Sequence, residues 1–215
     1  MIPFPFYYDR LPKFSELVHA IHERDYLTLR SYEDTWFTMC SRNNIFQVWC
    51  DEYIDELKNE IKKLVGDDLV LEVCAGDGML THWLKEKGVN IIATDNMSWH
   101  NKDKRPIKLY GQAIAIDAID AIKKFKPRLI IASWVEYGST LDVDILKENP
   151  EFFINIGERY GGCTGSELLW ESYDKRGYAS KELENVDKYN LCRTDDALGV
   201  RHSSTTLFFV DTKRS

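Results

Sequence analysis

Within the stretch "LEVCAGDGMLTHWLKEKGVNIIATDN", four residues are of types that bind rather than pack: Glu72, Gly76, Gly78 and Asp95. The two glycines form a turn between an apolar run and a helical segment, where α/β proteins cradle nucleotides. A dinucleotide fingerprint needs a third glycine, and Thr81 stands at that position. Glu72, inside the apolar run, and Asp77, between the glycines, would both repel a pyrophosphate. A carboxylate aimed at the turn suits a cation such as an α-ammonium group. Asp95 closes the next apolar run, where an acid accepts hydrogen bonds from a ribose diol. The four residues together describe a seat for a cationic amino acid joined to a nucleoside. The plainer alternative is a βα junction whose glycines serve packing alone.

These residues need a strand–turn–helix–strand frame, and the pattern around them supplies it. Short β-branched runs at 69–74, 90–95, 129–134 and 152–157 alternate with helical segments at 78–87, about 113–125 and about 141–149. Strands buried on both faces and separated by helices imply βαβ units and a parallel sheet. A fainter strand is expected within 107–114, and a closing antiparallel hairpin from 185–191 and 205–211. Before Leu69 the chain is helical and aromatic. Residues 14–23 have helical spacing, as do 45–64, with a stripe of Ile45, Val48, Trp49, Tyr53, Leu57, Ile61 and Leu64. Asn44 is the expected N-cap of the second helix, and Gly66 lies beyond its end. The expected organisation is an N-terminal helical extension, residues 1–66, followed by a nucleotide-binding domain, 67–215.

"LEVCAGDG" followed by "ATDN" resembles the first two motifs of the class I S-adenosylmethionine (SAM)-dependent methyltransferases, over about residues 69–158. The resemblance implies an α/β fold: a seven-stranded, mostly parallel sheet of order 3-2-1-4-5-7-6 with helices on both faces. It implies SAM as cofactor and a methyl transfer as the reaction. By position, Gly76 and Gly78 would line the methionine part, with Glu72 and the Ala75 backbone near its amino group and Asp77, between the glycines, also on the cofactor side. Asp95 would hold the ribose hydroxyls, and Asn96 and Met97 would flank the adenine. Asp117 resembles the acid that accepts from the adenine amine, although Asp120 begins an identical Asp-Ala-Ile. Ser133 would complete the cofactor side. Aromatics of the extension (Phe4, Phe6, Tyr7, Tyr8, Trp36, Phe37, Phe46, Trp49) would form either a lid over the pocket or a plain hydrophobic cover.

The fourth strand ends in "SWVEYG". Amino-methylating members of the family carry [D/N/S]-P-P-[Y/F/W] here; this chain keeps the aromatic Tyr137 and lacks both prolines. Trp134, Glu136 and Tyr137 are therefore the expected acceptor-side residues, with Glu136 able to take a proton or bind a cationic acceptor. After the fifth strand, "NIGERYGGCTGS" has the glycines of a loop that approaches a ligand, with Thr164 or Ser166 as helix cap. Cys163 is expected to be a small buried residue rather than a reactive thiol. His202 falls on the substrate side or on a surface loop.

The expected acceptor is a small molecule or an exposed side chain. A formal charge of −7 gives no general basic field for nucleic acid, so none is expected as a partner. A non-catalytic SAM- or S-adenosylhomocysteine-binding partner protein is one alternative, and a nucleic-acid methyltransferase with an atypical fourth motif is another. The five cysteines are scattered, without a CxxC pair, and fit a reducing, cytoplasmic setting. No apolar run approaches membrane-spanning length, and His19 and His22 find no further ligand for a metal. Oligomeric state is not legible.

Overall fold

A computed structural model describes residues 9–27, 35–98, 111, 113–159, 162–196 and 199–210. The helices are α1 (Phe14–Leu27), α2 (Trp36–Arg42), α3 (Asp51–Val65), α4 (Met79–Glu86), α5 (Ala118–Phe125), α6 (Leu141–Lys147), α7 (Glu167–Ser172) and α8 (Glu184–Asp187). The strands are β1 (Val70–Val73), β2 (Ile91–Asp95), β3 (Ile114–Ala115), β4 (Leu129–Ser133), β5 (Phe152–Glu158), β6 (Tyr178–Glu182) and β7 (Ser203–Val210). They form one seven-stranded sheet of order β3-β2-β1-β4-β5-β7-β6. The first five run parallel, while β7 is antiparallel to both β5 and β6. This is the topology that the resemblance implied.

Strand parity divides the core in two. Val70, Ile91, Leu129, Ile131, Ile154, Ile156 and Leu207 face the N-terminal helices and α4. Leu71, Val73, Ile130, Ala132, Phe153 and Phe208 face α5, α6 and α7. Every residue of β1 is buried, which explains its unbroken apolar run apart from Glu72. Helix α3 buries Tyr53, Ile54, Leu57, Ile61 and Val65 on one face, each worth about 1.5–3 kcal/mol when removed from water.

Four boundaries differ from expectation. The helix expected over 45–64 begins at Asp51, with Cys50 rather than Asn44 at its N-cap. Residues 46–48 run extended instead: Val48 N donates to Leu191 O at 2.9 Å, Arg193 N donates to Phe46 O at 3.0 Å, and Gln47 bridges Cys192. Asn44 adopts φ 55° after α2, a helix the periodicity did not reveal. Residues 185–191 are not a strand: they hold α8 and a turn, because Asp187 Oδ1 accepts from Thr205 N and Asn190 Nδ2. The hairpin partner is β6, an edge strand reading "YASKE" whose only buried residue is Tyr178. The faint third strand is Ile114–Ala115, at the end of the expected window, and α5 starts at Ala118 rather than near 113. Residues 107–110 and 112 lie outside the described residues. Among those described, no helix is long and apolar enough to cross a membrane.

Candidate functional site

The site gathers at the carboxyl ends of β1, β2 and β4. Leaving β1, the chain passes through Cys74 (φ 54°), Gly76 (φ 54°) and Gly78 (φ 77°) before α4 begins at Met79. Gly78 is favoured by its backbone conformation. Its left-handed backbone disfavours a side chain, and a Cβ there would meet the Gly111 backbone at 3.4 Å. Asp77 Oδ1 accepts from Met79 N at 3.1 Å, tying the turn to the first residue of the helix.

Asp95 joins this turn to β2. Its Oδ2 accepts from Gly76 N at 2.9 Å and its Oδ1 from Met97 N at 2.6 Å. Met97 adopts φ 60°, and Asn96 beside it is exposed. Ala75 N donates to Thr94 O at 3.1 Å. Across the turn, Glu72 is 2% exposed, and its Oε2 accepts both the backbone N–H and the hydroxyl of Thr81. The residue that replaces the third glycine of a dinucleotide turn therefore satisfies the strand carboxylate. That pairing was not foreseen, although the nine-residue spacing from Glu72 to Thr81 was available in the sequence.

Burial pushes the Glu72 carboxyl up to about 8, with the charges of Asp77 and Asp95 adding to the rise. Burial also raises Asp77, to about 6. Cys74 lies among Asp95, Asp117, Glu72 and Glu136; burial foremost, then those charges, pushes its thiol up to about 12. Thus acids from four segments converge here. Among the described residues, neither Glu72 nor Asp77 forms an ion pair. Asp117 caps α5 just after β3, accepting from Ile119 N at 3.0 Å. Asp120 lies within the first turn of that helix, so the two Asp-Ala-Ile repeats differ in position.

At the end of β4, Ser133 is half-buried and Trp134 takes φ 55°, uncommon for a bulky residue. Two bonds hold Trp134: its N–H donates to Ile156 O at 2.8 Å and its Nε1 to Gln47 Oε1 at 2.9 Å. Gln47 in turn donates to Asn190 Oδ1 and Leu191 O. Glu136 and Tyr137 are exposed, Tyr137 by 70%. Beside Trp134 lie Phe46, its ring centroid 5.5 Å away, and the guanidinium of Arg193, 5.6 Å from the Trp134 ring. Arg193 and Gln47 were not among the expected site residues. Nothing local marks them, since the loop "CRTDD" and the run "IFQVW" meet only in the folded chain.

The loop after β5 is pinned by its own strand end. Glu158 Oε2 accepts from Cys163 N at 2.5 Å, and Oε1 from Thr194 Oγ1 at 2.9 Å. A Cβ on Gly162 would stand 2.3 Å from the Glu158 Cβ, which accounts for glycine there. Tyr160 and Gly161 lie outside the described residues. Ser166, not Thr164, caps α7, accepting from Leu168 N at 2.9 Å. Cys163 is exposed rather than buried, because the glycine turn carries it outward. The Glu158 charge, more than burial, raises its thiol, so it is not activated either. The register Glu158–Ser203 sets His202 at this same edge, its N–H donating to Asp195 Oδ1 at 3.0 Å.

Of the N-terminal aromatics, Trp36 and Trp49 are buried in the core, while Phe37 and Phe46 are 43% and 40% exposed near Arg193. Phe4, Phe6, Tyr7 and Tyr8 lie outside the described residues, as does His100. Among the described residues, no group of histidine, cysteine, aspartate and glutamate side chains could hold a metal ion.

No family model and no curated protein matches the chain. Solved structures do match at a distance. A SAM-dependent methyltransferase from Agrobacterium tumefaciens is 16% identical over 74% of this chain, with a TM-score of 0.41; the match spans 61% of that protein's length. The Burkholderia thailandensis 1,6-didemethyltoxoflavin-N1-methyltransferase, with 1,6-didemethyltoxoflavin and S-adenosylhomocysteine bound, is 15% identical over 95% of this chain and 94% of its own (TM-score 0.44). A candidate RNA methyltransferase from Pyrococcus horikoshii is 12% identical over 73% of this chain and 83% of its own (TM-score 0.42). These are distant likenesses.

Proposed function

We propose that the chain is a SAM-dependent methyltransferase whose acceptor is a small molecule or an exposed side chain presented beside β4. One observation carries this reading: a buried carboxylate, Glu72, and a half-buried one, Asp77, neither in an ion pair among the described residues, flank a left-handed glycine turn at the carboxyl edge of the sheet. Such a turn disfavours a phosphate and favours a ligand with an ammonium and a sulfonium. SAM fits it, and when bound supplies an electrophilic methyl on sulfur.

In this reading Glu72, Asp77 and the backbone of Ala75, Gly76 and Gly78 receive the methionine moiety. Asp95 uses the acceptor capacity left after Gly76 N and Met97 N to hold the ribose diol. Asn96, Met97, Asp117 and Ser133 bound the adenosine. Trp134 and Tyr137 orient the acceptor, and Glu136 takes the proton it loses. Methyl transfer is an in-line displacement, so orientation supplies much of the rate. The extension, residues 1–66, acts as a cover whose Phe37 and Phe46 lie on the acceptor side; residues 67–215 form the SAM-binding domain. The net charge of −7 supports a small or protein acceptor over nucleic acid.

Asp95→Ala should weaken S-adenosylhomocysteine binding by about 1–3 kcal/mol, the cost of leaving the diol without its charged acceptor. Unchanged affinity by calorimetry would sink the cofactor assignment. Labelled methyl transfer from SAM into a metabolite extract tests the reaction itself; binding with no acceptor ever labelled would favour a non-catalytic binding protein.

A further inference from the structure

We propose that Arg193 holds a ligand that carries an oxyanion on an apolar body; that this ligand is the methyl acceptor rests on the methyltransferase reading. The guanidinium carbon lies 4.3 Å from the Phe46 ring centroid, 5.6 Å from that of Trp134 and 6.0 Å from that of Phe37. Its Nε is buried and has no hydrogen-bond partner among the described residues. No carboxylate among the described residues pairs with it, whereas Arg128 is paired with Asp68 and Glu151, and Arg159 with Glu182. Glu158, the acid of the adjoining loop, is already engaged by Cys163 N and Thr194 Oγ1.

A guanidinium walled by rings loses water from its faces and keeps only its edge for hydrogen bonding. Partial burial without a counter-charge is costly, and an incoming oxyanion would offset that cost through the planar N–H fork. The position is suited to substrate. Arg193 is anchored through its N–H to Phe46 O at 3.0 Å, and Trp134 leads directly into Glu136 and Tyr137. Phe37 and Phe46 are partly exposed around it and offer surface for an apolar or planar body. Carboxylate and phosphate share this chemistry, and the probes separate them.

The test titrates ¹⁵N-labelled protein, saturated with S-adenosylhomocysteine, with benzoate, phenyl phosphate and neutral benzamide. The Arg193 Nε–H resonance is identified by its loss in Arg193→Met. Either oxyanion should shift that resonance while benzamide does not, and the stronger responder names the source. Arg193→Met should bind that oxyanion about ten- to hundredfold more weakly, with S-adenosylhomocysteine affinity unchanged as evidence of an intact fold. No shift with either oxyanion, an equal shift with benzamide, or equal oxyanion affinity in the variant overturns the proposal. Should that variant fail to fold, Arg193→Lys, which also lacks the Nε–H, supplies the assignment and the wild-type titration decides. An Arg193 response in a protein that never binds S-adenosylhomocysteine supports the oxyanion site and overturns the methyltransferase reading instead.

Discussion

Glu72 makes the site sensitive to pH in a defined direction. Its folded value of about 8 lies above its ordinary 4.5, so between these values the folded chain keeps a proton that the unfolded chain has lost. Stability therefore falls as pH rises through that window and levels off above it. Asp77 acts the same way from 3.8 to about 6, which leaves the range from pH 6 to 8 mainly to Glu72. Urea midpoints should decline between pH 6 and 8 in the wild type and flatten in Glu72→Gln. A cation seated beside Glu72 favours its charged form. Binding of S-adenosylhomocysteine at pH 7 should then release protons, seen as a calorimetric enthalpy that varies with the buffer's ionisation enthalpy. Glu72→Gln should abolish that variation.

At the scale of elements, the β1–α4 turn is the most constrained join in the chain. Gly78→Ala places a Cβ on a left-handed residue against the Gly111 backbone, which should cost about 1–3 kcal/mol in thermal unfolding and weaken cofactor binding as well. This turn was legible in the sequence because its information is local: two glycines, an acid within the strand and an acid at the next strand's end. Strands β1, β2, β4 and β5 were legible because they are buried on both faces. Strand β6 was not, since an edge strand needs no apolar alternation and "YASKE" offers none. The helical stripe ran on past its true start for another reason. Ile45, Val48 and Trp49 keep helical spacing, but residues 191–193 take the backbone bonds of 46–48, and no local pattern reports a partner so remote.

Across the whole molecule, the N-terminal helices cover one face of the sheet and reach β7, next to its edge. Tyr53 on α3 and Thr205 on β7, both fully buried, share a hydrogen bond of 2.7 Å. Tyr53→Phe should destabilise the protein by about 1–3 kcal/mol, because Thr205 Oγ1 is left dry and unsatisfied; chemical denaturation measures it. The proposed acceptor wall is assembled from the same two regions, with Gln47 bonded to Leu191, 144 residues further along the chain. This separation has a consequence during synthesis. At about 5–20 residues per second, the ribosome completes Leu191 roughly 7–30 s after Gln47. Until then Trp134, Phe37 and Phe46 have no Arg193 beside them, while the glycine turn and Asp95 are already made. In the proposed reading, a nascent chain stopped short of residue 191 would therefore carry the residues of the cofactor seat, Glu72 to Asp95, without those that choose the recipient.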